Sequence, residues 1–211
     1  MTEIRLLGAK GMEQIADIMT HLRDNRVESF GEFVVQEKTD RWEGEPQPHL
    51  SPTDTASRNV LIFTLDELSG TKSIKLTVRP SGTEPKVKMY FEVFGKPCRL
   101  EEIHAEKQRV VTIRERLEKA FMYHCYELLG VDFPERGFLV FWQLPLTDKL
   151  QYFEIEDQIA GLRTIPDVDV RKTQLDTMLK FLGANPVEKV DEAFKAKYRV
   201  GILGYLDLDK R

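Results

Sequence analysis

Two alternating apolar runs, set on either side of a seven-residue connection, constrain this chain more than any other feature. Ile74, Leu76 and Val78 recur at every second position, and Val87, Met89, Phe91 and Val93 do the same further on. Period two marks strands with one face in a core, because successive side chains of extended backbone point to opposite sides. The intervening Arg79-Pro80-Ser81-Gly82-Thr83-Glu84-Pro85 holds one glycine and two prolines, which mark a turn. Strands are therefore predicted over residues 73–78 and 87–93, joined through this segment.

The surroundings agree with a small sheet. A further strand is predicted over residues 60–65, and Phe33, Val34 and Val35 favour a short one after a loop ending at Gly31. Met12, Ile15, Ala16, Met19 and Leu22 recur at helical spacing and predict a helix over residues 11–23. Pro46, Pro48 and Pro52 make residues 39–58 a long loop. A long helix is predicted over residues 100–129, opened by Glu101 and Glu102 and closed by Gly130. Ile103, Val110, Leu117 and His124 are seven apart on it, with Ile113, Phe121 and Leu128 on the same broad side. The fold class read from this is α+β, a small antiparallel sheet with helices on one face.

Beyond Gly130 the character changes. Pro134, Pro145, Pro166 and Pro186 punctuate segments of helical spacing, and helices are predicted over residues 146–162, 170–182 and 187–198. Pro186 suits a first helical turn with Asn185 as N-cap. Residues 138–141 offer the only strand signal in this stretch. Two domains follow, residues 1–129 and a mainly α-helical extension over residues 130–211.

Charge and composition exclude several classes. The chain of 211 residues carries a net charge of −4 and has no Lys/Arg run, which argues against nucleic acid as a partner. Its apolar runs are too short to cross a bilayer, so no membrane partner is expected. Nothing at the N-terminus reads as an export leader, and a cytoplasmic location is expected. Cys98 and Cys125 show no metal-type or redox spacing and read as free thiols. His21, His49, His104 and His124 form no close pair with ligand spacing, so no metal site is expected in the chain.

One segment carries chemistry. Arg79, Ser81, Gly82, Thr83 and Lys88 lie on the connection and on the polar face of the strand leaving it. Hydroxyls and backbone amides can converge there on an anion, with glycine allowing close approach. Arg79 can bind a phosphate through two parallel bonds, and Lys88 adds a point charge. Glu84 is out of place beside an anion and is expected to turn away or to bond backbone amides. The alternative is an ordinary connection with a solvated charged rim, on which Lys86 and Lys88 would be unremarkable.

Residues 78–90, reading VRPSGTEPKVKMY, resemble the phosphate-binding loop of the α-D-phosphohexomutases, the phosphoglucomutase/phosphomannomutase family. Asn59-Val60-Leu61-Ile62-Phe63 resembles the strand before that loop, and residues 11–23 the helix that opens the same domain. The resemblance spans roughly residues 5–120, that family's fourth and last domain, and is closest to the branch acting on glucose and pentose phosphates. It implies a fold like that of the TATA-box-binding-protein superfamily. It also implies that Arg79, Ser81, Gly82, Thr83 and Lys88 grip the non-transferring phosphate of a phosphosugar. Phosphoryl transfer in such enzymes uses a phosphoserine in the first domain and a magnesium ion held by aspartates in the second. The implied partners are thus a hexose or pentose phosphate and the remaining mutase domains, and no cofactor is expected in this chain itself.

The metal loop and sugar loop of that family are missing. Thr55-Ala56-Ser57-Arg58-Asn59-Val60 imitates the catalytic serine loop, but arginine replaces its histidine and valine its proline, so Ser57 is not read as a nucleophile. No catalytic residue is expected, and the chain alone is expected to be inactive. Residues 5–11 read as an interdomain connection, which favours a piece of a longer enzyme. Two other functions stay open, a standalone phosphosugar sensor without catalysis and an interaction scaffold. Nothing in the extension resembles a known family. Trp142, Tyr152 and Phe153 read as core. Glu154, Glu156 and Asp157 read as a solvated helix face, as do Lys189, Lys195, Lys197 and Arg199. The extension is expected to pack on the long helix or on other domains.

Overall fold

The computed structural model describes residues 1–42, 58–68, 70–138 and 144–209. These fall into two compact units, Met1–Asp132 and Phe133–Arg211. The first unit holds strands β1 (Thr2–Arg5), β2 (Ser29–Phe30), β3 (Phe33–Asp40), β4 (Leu61–Leu65), β5 (Thr71–Pro80) and β6 (Lys86–Gly95). They form one sheet in the order β1-β6-β5-β4-β3-β2, with every neighbouring pair antiparallel. The two alternating runs thus lie side by side within the sheet, Val78 opposite Met89 and Ile74 opposite Val93. The α+β class, an antiparallel sheet followed by a helical extension, is as read from the sequence.

Strand alternation decides which side chains meet the helices. Leu61, Phe63, Leu65, Ile74, Leu76, Val78, Val87 and Met89 are all buried. Against β5 and β6 lies helix α1 (Gly8–Asp24), and against β2 and β6 lies helix α2 (Ile103–Leu128). Phe30 joins the layers: its ring lies 5.2 Å from Phe63 and 4.9 Å from Phe121, both edge to face. Such pairs add about 0.5–1.5 kcal/mol beyond burial. Lys38 closes the end of α1, donating from Nζ to the carbonyls of Leu22 at 3.3 Å and Asn25 at 3.2 Å, and also to that of Arg23. A cation at the negative end of the helix dipole is favourable.

Several expectations need correcting. The buried face of α1 is Gly11, Ile15, Ile18, Met19 and Leu22, while Met12 and Ala16 are exposed. The face is rotated because Gly11 presses on Leu6 and Pro85, which a bulkier residue could not do. Residues 5–11 are not a mere connection: Arg5 ends β1, which pairs with β6 over Thr2–Arg5. Strand β3 runs five residues past Val35, to Asp40, with a register shift between Val35 and Glu37. Of the residues read on the apolar side of α2, Ile113, Leu117 and Phe121 are buried, Val110, His124 and Leu128 are half-buried, and Ile103 is 42% exposed.

The second unit is helical, with α3 (Leu146–Gly161), α4 (Val168–Met178), α5 (Pro186–Tyr198) and a single turn α6 (Ile202–Tyr205). Of the strand signal at residues 138–141, only residue 138 is described, and it is not in a strand. Pro186 does occupy the first turn of α5, but Asn185 adopts a left-handed conformation (φ 50°) and its side chain caps nothing. Asp167 caps α4 instead, accepting from the amides of Asp169 at 2.9 Å and Val170 at 3.1 Å. Such a cap stabilises a helix by about 1 kcal/mol.

Glu156 corrects the picture of a solvated carboxylate face most clearly. It is fully buried, accepts from Arg136 Nη1 at 2.8 Å and from the Tyr152 hydroxyl at 3.1 Å, and lies 3.4 Å from Lys197 Nζ. Lys197 also pairs with Asp157, which accepts from the Tyr198 hydroxyl at 2.5 Å. Glu154 is exposed, as read. Tyr152 is core, whereas Trp142 lies outside the described residues.

Candidate functional site

The β5–β6 connection leaves the sheet at Pro80 and rejoins it at Lys86. Because Val78 and Met89 point into the core, their neighbours Arg79 and Lys88 point to the opposite face of the sheet. Arg79 and Lys88 are direct partners in the strand register, so two cations stand side by side. Like charges directly opposite are destabilising unless something negative lies between them. Among the described residues, neither makes an ion pair within 4.0 Å, although Glu3 is the direct partner of Lys88 in the β1–β6 register, and Arg79 Nε is buried without a hydrogen-bond partner.

The loop above them is equally open. Ser81 is half-buried and Gly82 and Thr83 are exposed. The Ser81 amide donates to the Lys86 carbonyl at 2.8 Å and closes the loop at its base. Among the described residues, no protein acceptor serves the amides of Gly82, Thr83 and Glu84 or the hydroxyls of Ser81 and Thr83. The structure thus brings Arg79 and Lys88 together below a loop carrying Ser81, Gly82 and Thr83.

Residues outside the sequence-read set hold this loop in place. The Leu6 amide, just past β1, donates to the Pro85 carbonyl at 2.8 Å, and Gly11 of α1 lies against Pro85. Lys86, only 8% exposed, lies 2.5 Å from Glu84 and 3.6 Å from Glu3. Arg5 lies 2.7 Å from Glu3 and 4.0 Å from Glu84. Hydrogen bonding and attraction from Lys86 hold the Glu84 carboxyl below its ordinary range, and Glu84 in turn raises Lys86. Glu84 therefore neither bonds backbone amides nor stands free: it is tied to its neighbour but one. The alternating Glu84, Lys86 spacing was the only trace of this in the sequence, and Glu3 and Arg5 gave none.

Elsewhere the described residues offer less. A cleft of about 280 Å³ between α1 and the end of α2 is lined by Gln14, Asp17, Ile18, His21, Leu128 and Leu129. His124, whose ring lies 6.0 Å from that of His21, is held below the ordinary histidine range by burial and then by His21. Cys98 is exposed and Cys125 buried, and neither forms a disulfide. Ser57 and its decoy motif up to Ser57 lie outside the described residues. The magnesium that the resemblance implies for a whole mutase does not fit here: among the described residues no group of three or more His, Cys, Asp or Glu could hold a metal ion. No described helix is long and apolar enough to cross a membrane.

The connection thus sets two cations without an ion pair within 4.0 Å beside a loop whose amides and hydroxyls find no protein partner among the described residues. Residues 58–111 match the family described as phosphoglucomutase/phosphomannomutase, C-terminal domain. That match takes in β4, β5, the connection, β6 and the first turns of α2, and it bears out the resemblance read from VRPSGTEPKVKMY. This stretch is therefore similar to the C-terminal domain of phosphohexomutases, a domain found in isomerases of carbohydrate metabolism. No curated protein and no solved structure gave a match.

Proposed function

We propose that the β5–β6 connection binds the non-transferring phosphate of a hexose or pentose phosphate, as the gripping domain of a mutase that moves a phosphoryl group within its substrate. The observation that carries this reading is the cross-strand pair Arg79 and Lys88, two cations without an ion pair within 4.0 Å among the described residues, beside a loop in which the amides of Gly82, Thr83 and Glu84 find no protein acceptor. A phosphate dianion between them would relieve their repulsion and give Arg79 Nε an acceptor. Each charge-assisted bond contributes about 1.5–3 kcal/mol, so two or three are enough for measurable binding.

Arg79 would clamp two phosphate oxygens, Lys88 would balance the second charge, and Ser81, Gly82 and Thr83 would donate from hydroxyls and backbone. Holding the far phosphate uses binding energy to orient the reacting end of the sugar. The moving phosphoryl group, and the magnesium chemistry that accompanies it in such enzymes, would lie with residues other than those described. Mutase reactions rest on positioning and charge stabilisation, so a grip remote from the chemistry still raises the rate.

Calorimetric titration of the chain with glucose 1-phosphate tests the reading. Saturable binding in the millimolar range or tighter, lost in Arg79→Ala, is expected. Equal binding in both proteins, or none in either, would refute it.

A further inference from the structure

We infer that Lys86 is a positioning residue of this site: by holding Glu84 in an ion pair, it removes the loop's own carboxylate as a competitor of the phosphate. The inference rests on the phosphate reading above and deepens it.

Glu84 stands one residue from Thr83, within a loop whose amides and hydroxyls are free to face an anion. An unrestrained carboxylate there has two ways to weaken binding. It can repel the dianion, or it can swing onto Arg79 and Lys88 and occupy their donors. The charge of Glu84 does reach Lys88, whose attraction contributes to the lowered Glu84 carboxyl. What keeps Glu84 away is a closed cluster. Lys86 sits 2.5 Å from Glu84 and 3.6 Å from Glu3, and Arg5 sits 2.7 Å from Glu3 and 4.0 Å from Glu84. These two carboxylates and two cations cancel, which leaves Arg79 and Lys88 as the surplus charge at the loop.

Lys86 is built for this role in a way an ordinary surface lysine is not. It is 8% exposed, it lies opposite Arg5 in the β1–β6 register, and its own backbone closes the loop. Its amide donates to the Glu84 carbonyl at 2.7 Å, and its carbonyl accepts from Ser81 at 2.8 Å. Main chain and side chain of one residue therefore fix both the position of Glu84 and the direction of its charge. Strand β1 takes part through Glu3 and Arg5, which ties the site to a segment outside the matched residues 58–111.

The test is a charge-rescue cycle on the full chain, read as glucose 1-phosphate titrations of backbone amide shifts, with spectral dispersion reporting the fold. Lys86→Met should weaken binding about tenfold, because it frees Glu84 beside the dianion. Adding Glu84→Gln to Lys86→Met should restore affinity to within about twofold of wild type, which a purely structural role of Lys86 would not produce. Glu84→Gln alone should bind as well as wild type or better, and this holds the inference to account even if Lys86→Met fails to fold. Wild-type affinity in Lys86→Met, no rescue in the double variant, or a several-fold loss in Glu84→Gln would each overturn it. Absence of saturable shifts in wild type would instead strike the phosphate reading itself, and the role of Lys86 with it.

Discussion

The two units of this chain each gather charge at one place and treat it in opposite ways. In the helical unit, Glu156 is fully buried and engaged by Arg136, Lys197 and the Tyr152 hydroxyl, while Asp157 takes up Lys197 and Tyr198. In the sheet unit, Arg79 and Lys88 stand side by side with no ion pair within 4.0 Å among the described residues, although Glu3 lies opposite Lys88 in the β1–β6 register and Glu84 is only a loop away. Those carboxylates are claimed by Arg5 and Lys86. A paired buried network serves the fold that surrounds it, since breaking it leaves a charge stranded. A pair of cations whose neighbouring carboxylates are engaged elsewhere is what the proposed phosphate site would use.

The largest expected effect lies on the paired side. Glu156→Ala should destabilise the helical unit by about 3 kcal/mol, read from its urea midpoint, because it strands Arg136 and the Tyr152 hydroxyl. A loss under about 1 kcal/mol would mean that the network is solvated in practice, and the contrast would soften. Gly11→Val comes next. Any Cβ at Gly11 would lie 2.8 Å from Leu6 Cβ and 3.2 Å from Pro85 Cβ, so overpacking should cost about 1–3 kcal/mol and shift the amides of the β5–β6 connection. Loop amides that stay in place would show that α1 does not set the loop.

Arg79→Ala should leave stability within about 0.5 kcal/mol of wild type in urea, while glucose 1-phosphate affinity falls at least tenfold, or about 1.4 kcal/mol. A stability loss comparable to that of Glu156→Ala would make Arg79 structural and break the contrast outright. The smallest effect concerns pH. All four histidines precede Asp132, and His124 is held below its ordinary value of 6.5 by burial first and His21 second. A lowered folded-state value means that the unfolded chain takes up the proton first, so stability is retained above about pH 6.5 and falls as the pH drops below it. The slope should stay under about 1.4 kcal/mol per pH unit and flatten in His124→Gln. The helical unit has no histidine, and Lys197 holds Asp157 below its ordinary value of 3.8, so its own loss should come only in stronger acid. Equal acid sensitivity of the two units between pH 7.5 and 5 would count against this assignment.

Much of this was legible before any coordinates. Alternation fixed the faces of β5 and β6, and with them the side on which Arg79 and Lys88 emerge. Helical spacing and prolines located α3, α4 and α5 within about two residues at their starts. What escaped were features that depend on distant partners. β1 is four residues long and becomes a strand only because β6 offers an edge. Glu156 reads as solvated in any local window, since its burial depends on Arg136, twenty residues earlier, and Lys197, on another helix. Asn185 carries the right residue type for a cap, but its left-handed backbone turns the side chain away from the helix amides. Glu84 looked misplaced because Arg5 reaches it, and Glu3 completes the cluster around Lys86, only once β1 docks beside β6.

The central claim is that the cations at the β5–β6 connection are there for a phosphate, and mapping the bound ligand on the full chain tests it most directly. Glucose 1-phosphate should produce saturable amide shifts confined to residues 79–88 and their neighbours on β1, and Arg79→Ala should abolish them. Shifts scattered over the surface, or a response that survives in Arg79→Ala, would contradict it and leave the connection as a charged turn.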